Sequence, residues 1–178
     1  MSDDTAEGAG DGGASEAGGP PQIAIVAQYV KDLSFENPNA PQSLTPQSER
    51  PQINVTVDVQ ARALQGEHFE VTLGISATGR FGEATAFVAE LLYGAVFLLR
   101  NIPAESLEAV CVIECPRLVF PFARRIIADV TRDGGLPPLM LDPIDFVALY
   151  RQNKAAQSAA GNGGNGVSQA PDAAPTDD

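Results

Sequence analysis

The run INVTVDV, residues 53–59, alternates without interruption, with Ile53, Val55, Val57 and Val59 on one side and Asn54, Thr56 and Asp58 on the other. Period two is the mark of a strand with one face buried and one in water. The same period runs through 23–36, where Leu33 and Phe35 oppose Asp32, Ser34 and Glu36. It recurs in 68–78, where Phe69, Val71, Leu73 and Ile75 oppose His68, Glu70 and Thr72. A longer, less regular apolar run, EATAFVAELLYGAVFLLR, fills 83–100. Gly66 and the Gly79–Gly82 pair are short joints of the hairpin kind, so the strands are expected to form an antiparallel meander. The first connection differs. Residues 37–52 hold Pro38, Pro41, Pro46 and Pro51 and no helical period, which predicts a semi-extended arm lying across the surface.

After residue 100 the period changes. PAESLEAVCVIE, 103–114, is a short helix candidate. From Pro116 onward Leu118, Val119, Phe122, Ile126, Ile127 and Val130 recur at three- and four-residue steps, an amphipathic helix closed by Gly134–Gly135. LPPLML reads as an extended link, and DPIDFVALYRQNK as a terminal helix with Asp142 as N-cap and Pro143 in its first turn. Strands followed by helices predict an α+β fold, a four-stranded antiparallel sheet with helices packed on one face.

Composition then trims the ends. Residues 1–22 and 155–178 are rich in Gly, Ala, Ser and acid and poor in apolar bulk, so both are expected to be disordered tails around a domain of 23–154. The net charge is −12, but Asp3, Asp4, Glu7, Asp11 and Glu16 lie in the first tail without a base to balance them. Outside that tail and residues 151–178 there remain fifteen acids against nine Lys and Arg. Such a body does not suit nucleic acid and does suit a basic protein partner. LLYGAVFLL, 91–99, is far shorter than the ~20 residues of a membrane span, and the N-terminus has no basic and apolar leader. The expectation is a cytoplasmic protein without direct membrane insertion.

Chemistry is sparse. His68 is the single histidine and falls on the polar side of a strand. Cys111 and Cys115 are four positions apart and would supply only half of a tetrahedral metal site. GRFGEATA lacks the Lys-Ser/Thr of a phosphate loop and leads into a strand. Neither catalytic residues nor a metal or cofactor is expected, and a small enzyme built on Glu114, Cys115 or His68 lacks the constellation it would need. Surface remains: Asp32 shares a strand face with Glu36, and Val88 shares one with Glu90, a pattern that ordinary solvated acids also produce. In ECPRLVFPFARRIIADV, 114–130, Cys115 is expected at the cap and Pro116 in the first turn. Pro121 removes the hydrogen bond to the carbonyl of Arg117, which predicts a bend or an irregular first turn. Such a helix would turn Pro116, Phe120, Pro121 and Arg124 toward another subunit.

Four stretches together resemble the SecB family of bacterial export chaperones: YVKDLSFENPNAP (29–41), GEATAFVAE (82–90), ECPRLVFPFARRIIADVTRDGG (114–135) and PPLMLDPIDFVALY (137–150). The resemblance covers the whole body in the family's order. It implies a homotetramer built as a dimer of dimers, which holds unfolded preproteins in extended form without ATP hydrolysis and delivers them to the SecA motor ATPase. By matching segment it implies that Asp32, Glu36, Val88 and Glu90 dock SecA. Clients would then lie where the second strand, the arm and the last helix meet, on Ile53, Val55, Val57, Phe146 and Tyr150. A SecB-like chaperone dedicated to one partner, such as an antitoxin, is the alternative within the same fold.

Overall fold

The computed structural model describes residues 19–46 and 49–161. Four antiparallel strands make one sheet: β1 (Gln22–Glu36), β2 (Gln52–Ala63), β3 (His68–Phe81) and β4 (Ala84–Arg100). Their spatial order is β1-β4-β3-β2, so only the last three strands form a meander. The chain leaves β1 through the arm, crosses to the far edge and returns strand by strand until β4 pairs with β1. The meander expected over all four strands is corrected here, because an arm of some fifteen residues is long enough to carry the chain across the sheet.

Register explains which face is buried. Leu33 pairs with Leu91 and Phe35 with Ala89, while Ile75 on β3 pairs with Leu91 on β4 and with Val57 on β2. These residues share the covered face. The two central strands alternate as a half-buried sheet should, with Val71, Leu73, Ile75, Ala77, Phe87, Ala89, Leu91, Tyr93, Ala95 and Phe97 all buried. The edge strand β1 breaks its period twice, at shifts between Ile25 and Ala27 and between Val30 and Asp32. Each shift inserts one residue and resets which side chains face the core, so the alternation in 23–36 is clean only from Asp32 onward.

The helices follow on the covered side. α1 (Ala104–Ala109) passes into a π turn at Val110–Glu114 and on into α2 (Cys115–Asp133) without leaving helical backbone. Cys115 therefore lies within a continuous helix and does not cap a new one. Its N–H reaches back five residues to the Val110 carbonyl. Pro116, the next residue, has no N–H to give, and its ring would crowd the carbonyl four residues back in a regular α-turn. The wider π turn ahead of it relieves that conflict. The irregularity thus lies before Pro116, and α2 runs through Pro121 as an unbroken helix. Its buried side, Cys115, Val119, Phe120, Ala123 and Ile127, lies on the sheet.

Gly135, at φ 83°, ends α2 in the left-handed conformation that glycine adopts without steric cost. The N–H of Gly135 bonds to the Arg132 carbonyl and that of Leu136 to the Thr131 carbonyl, the paired bonds of a Schellman cap. The last helix, α3 (Phe146–Gly161), begins later than expected. Asp145, not Asp142, accepts hydrogen bonds from the backbone N–H groups of Val147 and Ala148, each at 3.0 Å. Substituting Asp145 by Ala should lower stability by about 1 kcal/mol in a denaturant titration, with Asp142→Ala within about 0.5 kcal/mol of the parent. Equal losses for the two would contradict this cap. α3 continues past residue 155, where a tail was expected to start, and the remainder of both expected tails (residues 1–18 and 162–178) lies outside the described residues.

Candidate functional site: a groove under the sheet and an acidic face above it

The arm does not float. Ser43 is buried and donates to the Asn37 carboxamide oxygen at 2.6 Å, and Asn39 donates to the Thr85 carbonyl at 2.9 Å. Across from it, the link after α2 is pinned by Thr131, which is fully buried. The Thr131 hydroxyl donates into its own helix and accepts from the Leu139 N–H at 2.9 Å. Between arm and link opens a groove of about 700 Å³. Its walls are Leu44 and Pro51 from the arm and Leu136, Pro138 and Leu139 from the link, and its floor is Ile53, Phe81 and Phe87. The lining is predominantly apolar, with Glu49 and Arg50 at the arm side.

Ile53 is 40% exposed and Val55 37%. Val57, on the same face, is half-buried against the core. Phe146 is placed otherwise: it is 1% exposed and packs edge-on against Phe120, ring centroids 6.1 Å apart. It is a core residue and cannot meet a ligand in this fold. Tyr150 lies away from the groove, in a small hollow with Val59, Val112 and Leu149, where its hydroxyl accepts from Lys154 at 2.7 Å. Leu136, Leu139, Phe81 and Phe87 were missed as groove residues. The apolar spacing of LPPLML was the available signal, and as a link it carried no face.

On the other side of the sheet, register assembles rungs of outward side chains. Asp32, Leu92, Gly74 and Asp58 form one, and Ser34, Glu90, Ser76 and Thr56 the next. Glu36, Val88, Thr78 and Asn54 form the third. The four residues expected as a docking set therefore share one face, and Glu36 pairs directly with Val88. Asp32, Asp58 and Glu90 ring an indentation of about 380 Å³ over Gly74. Asp58 was not singled out from the sequence, and only the pairing of β2 with β3 brings it here.

Further along that face a carboxylate is buried. Glu70, with its side chain 4% exposed, accepts hydrogen bonds from Arg62 and Tyr29 and an ion pair from Lys31 at 3.3 Å. Arg62, then Tyr29, hold its carboxyl down to about 2 against the opposing effect of burial. Gly94 makes this contact possible: a Cβ there would lie 2.6 Å from the Tyr29 ring, which crosses β4 to reach β3. Three strands are tied by one acid.

Of the residues expected to face another subunit, Pro116 and Phe120 are buried within the chain. The edge of the Phe120 ring nonetheless borders an outward hollow that Pro121 and Arg124 line with Met140 and Pro143, flanked by exposed Phe122 and Leu118. The two thiols are buried, and burial pushes Cys115 up to about 12, far from a nucleophilic thiolate. Among the described residues no group of His, Cys, Asp and Glu could hold a metal ion, and no helix is long and apolar enough to cross a membrane.

An open apolar groove with a strand at its floor, backed by an acidic sheet face, is the surface of a binding protein, and its shape suits an extended polypeptide. The comparisons agree. Residues 16–157 match the family described as preprotein translocase subunit SecB. The chain is 58% identical over 151 residues to the protein-export protein SecB of a Bradyrhizobium species, covering 85% of this chain and 93% of that one. It is 56% identical over 153 residues to that of Parvibaculum lavamentivorans, covering 85% and 91%. The fold is shared with a SecB-like chaperone of Mycobacterium tuberculosis solved with an antitoxin peptide (TM-score 0.59, 16% identity, 68% of this chain and 90% of that one). The chain belongs to the SecB family and is a protein-export chaperone.

Proposed function

We propose that the protein is an ATP-independent holdase that seats extended, non-native preprotein segments in the groove beneath the sheet and delivers them to the SecA motor ATPase. The observation that carries this is the groove itself: an apolar trough of about 700 Å³, open to solvent and walled by two irregular segments that side chains and caps hold apart. Apolar surface leaving water contributes about 25 cal/mol per Å², and the groove asks for no particular sequence. Ile53, Val55 and Val57 are the strand residues assigned to the client. Of the two aromatic additions expected from α3, only Tyr150 remains a candidate, at a separate hollow. Asp32, Glu36, Val88 and Glu90 are assigned to SecA, as an acidic face for a basic segment.

The assembly proposed is a homotetramer, a dimer of dimers, acting in the cytoplasm. The exposed apolar side chains Leu118, Phe122 and Met140 on and beside α2 support burial against another copy. Several grooves in one particle would raise the effective concentration of successive sites for a long client. The test is aggregation of an unfolded preprotein followed by light scattering. The parent should suppress it near one tetramer per client, and Leu139→Arg should reduce suppression by about tenfold or more in the concentration required. Full activity of Leu139→Arg would remove the groove from the function. Native mass spectrometry of the parent with client checks the subunit number.

A further inference from the structure

Ile53, Gly79 and Phe87 lie on one rung across β2, β3 and β4, and the middle position carries no side chain. The Phe87 ring lies down over that gap. A Cβ built on Gly79 would fall 2.3 Å from its Cε1, 2.7 Å from its Cδ1 and 3.0 Å from its Cζ, closer than atoms can approach. Behind Phe87 the Phe35 ring stacks with it, centroids 6.2 Å apart at 17°. Phe35 is itself pressed on the second glycine of this set, where a Cβ on Gly134 would fall 2.3 Å from its ring. The two rings are thus laid flat between a glycine of β3 and a glycine at the end of α2. Phe87 borders open volume on its groove side, so a ring lifted off Gly79 would move into the groove, with Phe35 and Gly134 behind it.

We propose that Gly79 sets the depth of the groove floor and thereby determines which client side chains it accepts: the flat Phe87 ring leaves room for large aromatic and leucine side chains, and any side chain at position 79 raises the ring and excludes them. This rests on the groove being the client site. Gly79 is a positioning residue, acting through Phe87 and not by contact with the client.

The experiment uses the full chain and two fluorescent peptides of equal length and charge, one rich in Phe and Leu, the other in Ala and Val, with affinities read by anisotropy. Gly79→Ala should weaken the Phe/Leu peptide by about tenfold, the equivalent of excluding about two buried methylenes, and the Ala/Val peptide by less than about threefold. Gly79→Ala combined with Phe87→Leu should restore the Phe/Leu peptide to within about threefold of the parent, since the smaller side chain can bend clear of a Cβ. A merely destabilised protein would lose both peptides together and would not regain one by a second change. The double variant has no ring against the new Cβ, so it also covers the case in which Gly79→Ala alone fails to fold. An unchanged ratio of the two affinities in Gly79→Ala, or no restoration in the double variant, overturns the proposal. Leu139→Arg separates the two levels. If it leaves both peptides bound, the groove reading falls and this inference with it; if it abolishes both while Gly79→Ala changes neither, only the role of Gly79 is lost.

Discussion

At low ionic strength the Asp32→Lys, Glu90→Lys double variant should bind SecA on the order of 100-fold more weakly than the parent while still suppressing client aggregation. The two acids sit on adjacent rungs of the open face and ring the same indentation, so reversing both turns its charge from negative to positive together with the remaining Asp58. The groove lies on the opposite face of the sheet, and neither residue is among those that line it. Parent affinity should fall steeply with added salt, and the variant's should not, because exposed charges are screened over about 10 Å at 0.1 M. Isothermal calorimetry at two salt concentrations reads both effects. If affinity for SecA stays within threefold, the docking assignment is wrong. If aggregation suppression disappears as well, the two faces are not separate functions.

The second large effect concerns stability. Glu70→Gln should cost about 1–3 kcal/mol near neutral pH, because it replaces charge-assisted hydrogen bonds to Arg62, Tyr29 and Lys31 by neutral ones. Its pH dependence gives a sharper reading. The folded-state value of about 2 is below the ordinary carboxylate value of about 4.3, so the unfolded chain takes up the proton first on acidification. The stabilisation is therefore complete above about pH 4.3 and is lost as the pH falls from there toward 2. Urea denaturation over that range should show the parent losing its advantage over Glu70→Gln step by step. A constant gap down to pH 2 would mean that the buried carboxylate is not what Arg62 and Tyr29 stabilise.

Much of the fold could be read from the sequence where local period and burial coincide. The alternation in 53–59 and 68–78 placed side chains on the faces that the strand register shows, and the same period in their own strands put Asp32 with Glu36 and Val88 with Glu90. It failed where burial depends on distant partners. Phe146 looked like one aromatic in a short amphipathic segment, but its position is decided by Phe120, on another helix. Glu70 looked like a wet strand residue, and is buried because Tyr29, on an edge strand, reaches over Gly94 to cover it. Asp142 and Asp145 are equally good caps by residue type, and the path of the link after Gly135 decides between them. The break expected at Pro121 does not occur: α2 runs through it, and the irregularity lies in the π turn before Pro116, which no rule of helix ends taken alone predicts.

The alternation of β4 has a consequence for how such a chain can change over generations. Phe87 faces the groove, Val88 the acidic side, Ala89 the core and Glu90 the acidic side again. Two proposed binding surfaces are therefore written into one stretch of sequence, interleaved residue by residue. Substitutions can adjust one surface and leave the other unaltered, so client range and partner docking are free to drift separately. A one-residue insertion or deletion has no such freedom, since it would exchange the faces and spoil both at once. Along this strand the lineage can vary its letters but not their count.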